Sequence, residues 1–162
     1  MQRESPHIRP AVESDVEAIA TILRELGWFA HLNEEPLEVA RERIGRHLSM
    51  CGADESHTVL VAQGPDGEAV GYVSAHWLPY LMLPGTEGYV SELFVREPAR
   101  GKGVGRMLLD AVRDLAAERG CSRLMLITGS ARESYVRGFY RKLGWQERPG
   151  MANLIFPMAS PG

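Results

Sequence analysis

The stretch Val95-Arg-Glu-Pro-Ala-Arg-Gly-Lys-Gly-Val-Gly-Arg-Met-Leu-Leu109 sets three glycines, Gly101, Gly103 and Gly105, between a β-rich run and an apolar helical pattern. Upstream, Gly88-Tyr-Val-Ser-Glu-Leu-Phe-Val95 reads as a strand. Downstream, Val104, Met107, Leu108, Ala111, Val112, Leu115 and Ala116 recur at the spacing of one helix face until Gly120 ends the pattern. A strand that passes through glycines into a helix start offers converging backbone N–H groups and the positive end of the helix dipole, which together hold an anion. Phosphates are natural guests of such a loop, and a nucleotide, a dinucleotide and coenzyme A all carry them.

On the N-terminal side, His7 to Val12 reads as a first strand. Ser14-Asp-Val-Glu17 has the form of a capping box, and Val16, Ile19, Ala20, Leu23 and Leu26 follow at helical spacing up to Gly27. A second helix is expected from Pro36 to about Met50, with Leu37, Ala40, Ile44 and Leu48 on one side. The period then changes to that of strands. Thr58-Val-Leu-Val-Ala62, the turn Pro65-Asp-Gly67 and Ala69-Val-Gly-Tyr-Val-Ser-Ala-His-Trp77 predict an antiparallel hairpin. Beyond the glycine loop and its helix, Ser122 to Thr128 is expected to be a strand and Glu133 to Leu143 a helix ending at Gly144. Asn153-Leu-Ile-Phe156 reads as a closing strand and Pro157 to Gly162 as a loose tail. This order predicts one α/β domain over residues 1–162, with a single mixed, mostly antiparallel central sheet flanked by helices.

The composition agrees with an ordinary globular chain: 162 residues, 44% hydrophobic and 24% charged. A formal net charge of −3 speaks against a nucleic-acid partner, which needs a positive face. No apolar run has the length of a bilayer span and the N-terminus lacks the core of a secretion signal, so a cytoplasmic protein with no membrane partner is expected. Cys51 and Cys121 match neither a disulfide framework nor a zinc spacing and read as reduced thiols. No metal is expected, because neither His31 nor His76 has a second ligand at a useful spacing.

Two nucleotide readings of the loop fail on its own residues. A dinucleotide fingerprint needs a third glycine where Arg106 stands and an acidic residue at the end of the next strand, which ends in Thr128. The string G-x-x-x-x-G-K-[ST] does not occur. What remains is Arg100-x-x-Gly103-x-Gly105, preceded by Glu97-Pro98-Ala99 and followed, after a helix and a strand, by Phe139-Tyr-Arg-Lys-Leu-Gly-Trp145. With these two blocks in this order, the chain resembles the GCN5-related N-acetyltransferase (GNAT) family, in which a R/Q-x-x-G-x-G/A loop wraps the pyrophosphate of acetyl-CoA and an FY-x-x-x-G-[FYW] block follows. The resemblance covers nearly the whole chain in element order and is sharpest from Tyr89 to Trp145.

The resemblance implies an enzyme that moves the acetyl group of acetyl-CoA to a primary amine by direct attack through a tetrahedral intermediate. It implies donor binding by Arg100, Gly101, Lys102, Gly103, Val104, Gly105 and Arg106, chiefly through backbone N–H groups. Leu93, Phe94 and Val95 would meet the pantetheine arm and thioester where the fourth and fifth strands part. Tyr140 would face the sulfur as proton donor, and Glu92 would accept the amine's proton, directly or through water. The family pattern has Asn where Glu133 stands, and Ser130-x-x-Glu133 is read instead as a second capping box. The expected acceptor is a small cationic amine of polyamine, aminoglycoside or amino-phosphonate type. Two aromatic and acidic regions are candidates to hold it: His31, Glu34 and Glu35, and His76, Trp77, Tyr80 and Glu87. A peptide N-terminus or lysine as acceptor, or a non-catalytic acyl-CoA-binding module, are the alternatives. An exposed apolar connection between Leu78 and Pro84 would also permit a homodimer.

Overall fold

The computed structural model describes residues 5–159, so the last three residues of the expected tail lie outside the described residues. The chain divides into two compact units, Met1–Leu126 and Ile127–Gly162. In the first, β1 (His7–Pro10) leads to α1 (Val16–Glu25), a short α2 (Ala30–Glu34) and α3 (Leu37–Cys51). Then come β2 (His57–Gln63), β3 (Ala69–Leu78), β4 (Glu87–Val95), α4 (Val104–Glu118) and β5 (Arg123–Leu126). The strands lie side by side in chain order, β1 to β4 antiparallel and β5 parallel to β4. This is the mixed, mostly antiparallel sheet that the element order predicts.

Successive strand residues point to opposite faces, and the helices sort accordingly. One face carries Tyr72 and Val61, which join Ile19, Ala20 and Ile22 of α1 and Ile44 of α3 in one core cluster. The other face receives α4, whose Val104, Leu108, Leu109, Val112 and Ala116 are buried. Gly71, the neighbour of Tyr72, permits this: a Cβ there would lie 3.0 Å from the Phe94 carbonyl, 3.2 Å from Val95 Cγ2 and 3.4 Å from Val104 Cγ1. Its bare backbone lets the first residue of α4 seat against β3, and that contact fixes where the glycine loop ends.

The register of β3 against β4 slips once. Ser74 pairs with Glu92 and Ala75 with Val90, so Ser91 is an extra residue on β4. Such a bulge re-aims the side chains that follow it. Pairing of β4 with β5 stops at Val90 and Leu126, whereas β4 continues to Val95 and leaves residues 91–95 outside that ladder.

Four local expectations are corrected. The first helix is not capped by Ser14 and Glu17: a 3-10 turn, Glu13–Asp15, precedes it, and Asp15 is the buried organiser. Asp15 accepts from Val12 N–H and from both Arg9 Nη atoms, each at 2.8 Å, while Glu17 pairs with Arg41. In the second unit the single helix expected over 133–143 is two short ones, α5 (Glu133–Val136) and α6 (Phe139–Lys142). Gly138, with φ of +75°, breaks it in the left-handed region that favours glycine, and Val136 is exposed. The Ser130–Glu133 box does not form, since Arg132 is the N-cap and has no side-chain cap bond. Asn153 to Phe156 joins no strand ladder among the described residues, and Leu154, Ile155 and Phe156 are exposed. A β-prone sequence becomes a strand only where an edge pairs with it.

Candidate functional site

The loop after β4 opens with a 3-10 turn, Glu97–Ala99, and reaches α4 through two left-handed residues, Gly101 at φ +70° and Gly103 at φ +80°. A Cβ on either glycine would meet nothing within 4 Å, so their need is conformational and the space above them is open. Gly103 is the N-cap of α4, and the first bond of the helix runs from Met107 N–H to the Gly103 carbonyl. The N–H groups of Val104, Gly105 and Arg106 therefore precede the helical ladder, as the first N–H groups of any helix do.

The basic side chains of the loop are turned onto the protein itself. Arg100 Nε donates to the Val95 carbonyl at 2.9 Å, Lys102 Nζ to the Pro98 carbonyl at 2.7 Å, and Arg106 pairs with Asp110 at 3.4 Å. They brace the loop, and its attraction for an anion rests on backbone N–H groups and the helix dipole.

The end of β4 is equally ordered. Arg96 N–H donates to the Val70 carbonyl at 2.9 Å. Antiparallel pairing turns alternate residues toward the same neighbour, so Phe94 and Glu92 spend their backbone groups on β3. Leu93 and Val95 turn theirs to the opposite edge, where the Val95 carbonyl is taken by Arg100 and the ladder with β5 has already ended.

After the bulge, Glu92 stands on the face of the sheet that α1 and α3 cover. Its Oε1 accepts from the hydroxyl of buried Tyr72 at 3.2 Å. Burial raises the Glu92 carboxyl above the ordinary glutamate value, while the Tyr72 hydrogen bond and the nearby His47 of α3 pull it back in part. Cys51, also on α3, is raised by burial and then by the Glu92 charge. Beside them Phe94 gathers an aromatic wall, with ring centroids at 5.8 Å from Trp28, 6.2 Å from Phe29 and 5.8 Å from Tyr72. Trp28 is about half exposed and faces solvent at the rim.

Of the residues in the two acceptor regions expected from sequence, His31, Glu34 and Tyr80 are exposed, while the others have partners of their own. Trp77 is buried on the α4 side, donates to Thr58 Oγ1 at 2.9 Å and lies under Arg119. Glu87 is fully buried and ion-paired with Arg123, and Glu35 is paired with Arg43. His76 contacts His57 and Ser91. Of the wall, Phe94 was singled out by the sequence as a contact for the donor arm, whereas Trp28 and Phe29, between α1 and α2, were given no role. The part of Tyr72 was invisible because it depends on cross-strand register.

In the second unit, Tyr140 packs against Phe139 and Trp145, with ring centroids at 5.0 and 6.4 Å. Burial raises its phenol, and hydrogen bonding to Thr128, the charge of Arg132 and hydrogen bonding to Ser134 pull it down in part. The hydroxyl thus keeps its proton at neutral pH, as a proton donor must. Among the described residues no cluster of His, Cys, Asp and Glu could hold a metal ion, and no helix is long and apolar enough to cross a membrane.

Known proteins share both the sequence and the fold. The chain is 29% identical over 145 residues to an L-methionine sulfoximine/L-methionine sulfone acetyltransferase of Pseudomonas paraeruginosa, covering 88% of this chain and 81% of that one. It is 28% identical over 162 residues to an aminoglycoside N(6')-acetyltransferase type 1 of Stenotrophomonas maltophilia, covering 98% and 97%. Among solved structures, a chain from Bacillus halodurans described as a transcriptional regulator superposes with a TM-score of 0.80 at 24% identity, covering 94% of this chain and 99% of that one. Glucosamine-6-phosphate N-acetyltransferase of Arabidopsis thaliana superposes at 0.75 and 21%, covering 95% and 100%. The acetyltransferase (GNAT) family model matches residues 20–145, a span that takes in the bulged strand, the glycine loop and the Phe139–Trp145 block. With sequence, sheet order and loop in agreement, the chain belongs to the GNAT family of acetyltransferases.

Proposed function

We propose that the protein transfers the acetyl group of acetyl-CoA to the primary amine of a small, cationic molecule. The observation that carries this reading is the layout of β4: a carboxylate in its middle, a backbone edge at Leu93 and Val95 that β5 does not pair, and the start of α4 beyond its end. The loop fits a pyrophosphate, because its left-handed glycines face open space and the N–H groups of Val104, Gly105 and Arg106 precede the helical ladder. Acetyl-CoA, when bound, supplies an activated acyl group with a thiolate leaving group. The backbone N–H groups of 102–106 hold its phosphates, and the edge at Leu93 and Val95 receives its arm and carbonyl oxygen.

Glu92 accepts the proton that the amine loses as its nitrogen bonds to the acetyl carbon. As the carbon–sulfur bond breaks, Tyr140 donates its proton to the sulfur and recovers one from solvent. The aromatic wall of Trp28, Phe29 and Phe94 suits the carbon skeleton or charge of a cationic amine. That choice is supported by relatives named for small-molecule amines, including a thialysine N-epsilon-acetyltransferase of Bos taurus that is 26% identical over 125 residues, covering 74% of this chain and 72% of that one.

Release of free CoA from acetyl-CoA across a panel of small amines and peptides tests the reading directly. Tyr140→Phe is expected to lower kcat about tenfold or more, the scale of one proton-transfer partner, while leaving donor affinity unchanged. Turnover at the level of the natural chain in that variant would remove Tyr140 as the donor.

A further inference from the structure

Tyr72 of β3 stands two residues from the position paired with Glu92, its ring in the core and its hydroxyl on the Glu92 carboxylate. We propose that Tyr72 is a positioning residue for the transfer: its hydroxyl, donating to Oε1 of Glu92, fixes the carboxylate and leaves Oε2 to meet the acceptor amine. The inference rests on Glu92 acting as base.

Three observations converge on it. First, the ring is anchored, since Tyr72 is 3% exposed and packs at 5.8 Å from Phe94 within the cluster that holds α1 and α3 to the sheet. A buried phenol needs an acceptor for its proton, and Glu92 is the one it has. Second, the register slip at Ser91 sets Glu92 opposite Ser74, on the same face as Tyr72; without the extra residue, the alternation of the strand would send that carboxylate to the α4 face. Third, the other groups around Glu92 do not compete for Oε1: His47 of α3 acts on it through charge, Cys51 of α3 is a thiol that the Glu92 charge holds protonated, and Phe94 offers only a ring. A carboxylate this buried has few solvent molecules to orient it, so one hydrogen bond from a rigid donor decides its direction. The same bond favours the ionised form that a base requires.

The test is Tyr72→Phe, which keeps the ring and removes the oxygen. It is expected to lower kcat/KM for the acceptor about tenfold, as loss of a hydrogen bond to a charged group does, with the KM for acetyl-CoA unchanged. The acidic limb of the pH profile should move to higher pH, because the unassisted carboxylate binds its proton more tightly. In a Glu92→Gln background the same substitution should have no further effect. A melting curve like that of the natural chain establishes that the variant is folded, and Tyr72→Leu serves as the control for lost packing. If Glu92→Gln abolishes the limb but Tyr72→Phe leaves both rate and limb in place, Tyr72 has no positioning role. If Glu92→Gln itself leaves the limb unchanged, the base assignment falls, and with it the ground for the inference.

Discussion

In the reaction proposed for this protein, the two halves of β4 serve the two substrates by different physics. Beyond Val95 the strand becomes loop: Val95 is braced by Arg100, Gly101 and Gly103 turn left-handed, and what this end offers a donor is backbone. At its middle the strand slips by one residue against β3 at Ser91 and offers a side chain, Glu92, held by another side chain across the sheet. Backbone recognition needs only the correct φ and ψ, which a glycine secures locally. Side-chain recognition needs burial, register and a partner from elsewhere in the sequence.

The largest expected effect breaks the middle half. Glu92→Gln removes the base while keeping the shape, and kcat/KM should fall by about 10²–10⁴-fold, the contribution typical of general base catalysis. The acidic limb of the pH profile, which burial places above the ordinary glutamate value, should vanish with it. Donor binding, measured by calorimetry with CoA, should stay as it was. A parallel loss of CoA affinity would show that the two halves are not separable.

The next effect breaks the end half. Gly103→Val forces a β-branched residue to φ +80°, which costs about 1–3 kcal/mol, and that cost falls on the conformation that presents the helix N–H groups. A loss of about tenfold or more in CoA affinity is expected, with the position of the pH limb unaltered. Since a Cβ there meets no neighbour within 4 Å, the effect comes through φ alone. An unchanged CoA affinity would move the donor away from this loop.

The same contrast explains what the sequence made legible. The glycine loop and α4 could be read off because each is a local pattern: glycines where φ is positive, and Val104, Leu108, Val112 and Ala116 at helical spacing. The hairpin was legible for the same reason, since the turn sits between its own strands. The bulge at Ser91 was not, because Ser91 is extra only in relation to Ser74 and Ala75, and that register is a property of two strands. Tyr72 and Trp28 escaped similarly. Trp77, a candidate for the acceptor in the sequence, is buried under Arg119, a contact with a distant element that no local pattern encodes. At 153–156 a strand-like composition was read as a strand, although composition supplies no partner.

The smallest expected effect is on stability, and it separates the halves most cleanly. Glu92 has a folded-state carboxyl raised by burial, so the folded protein holds that proton more tightly than the unfolded chain does. Stability linked to this group is fully present below the unfolded value and is lost as pH rises through the folded one, because the ionised carboxylate must then remain in a poorly solvated place. Glu92→Gln removes that loss. Its melting temperature should therefore gain on the natural chain as pH rises from acid to neutral, while activity is destroyed, so function is held at a cost in stability. Gly103→Val should behave otherwise: strain at a left-handed position involves no proton, and its destabilisation should be the same at every pH. Thermal melts of the three proteins at matched ionic strength across that range measure both trends. A pH-independent offset for Glu92→Gln would mean that its carboxyl is not desolvated in solution, and the raised limb expected for the base would lose its physical cause.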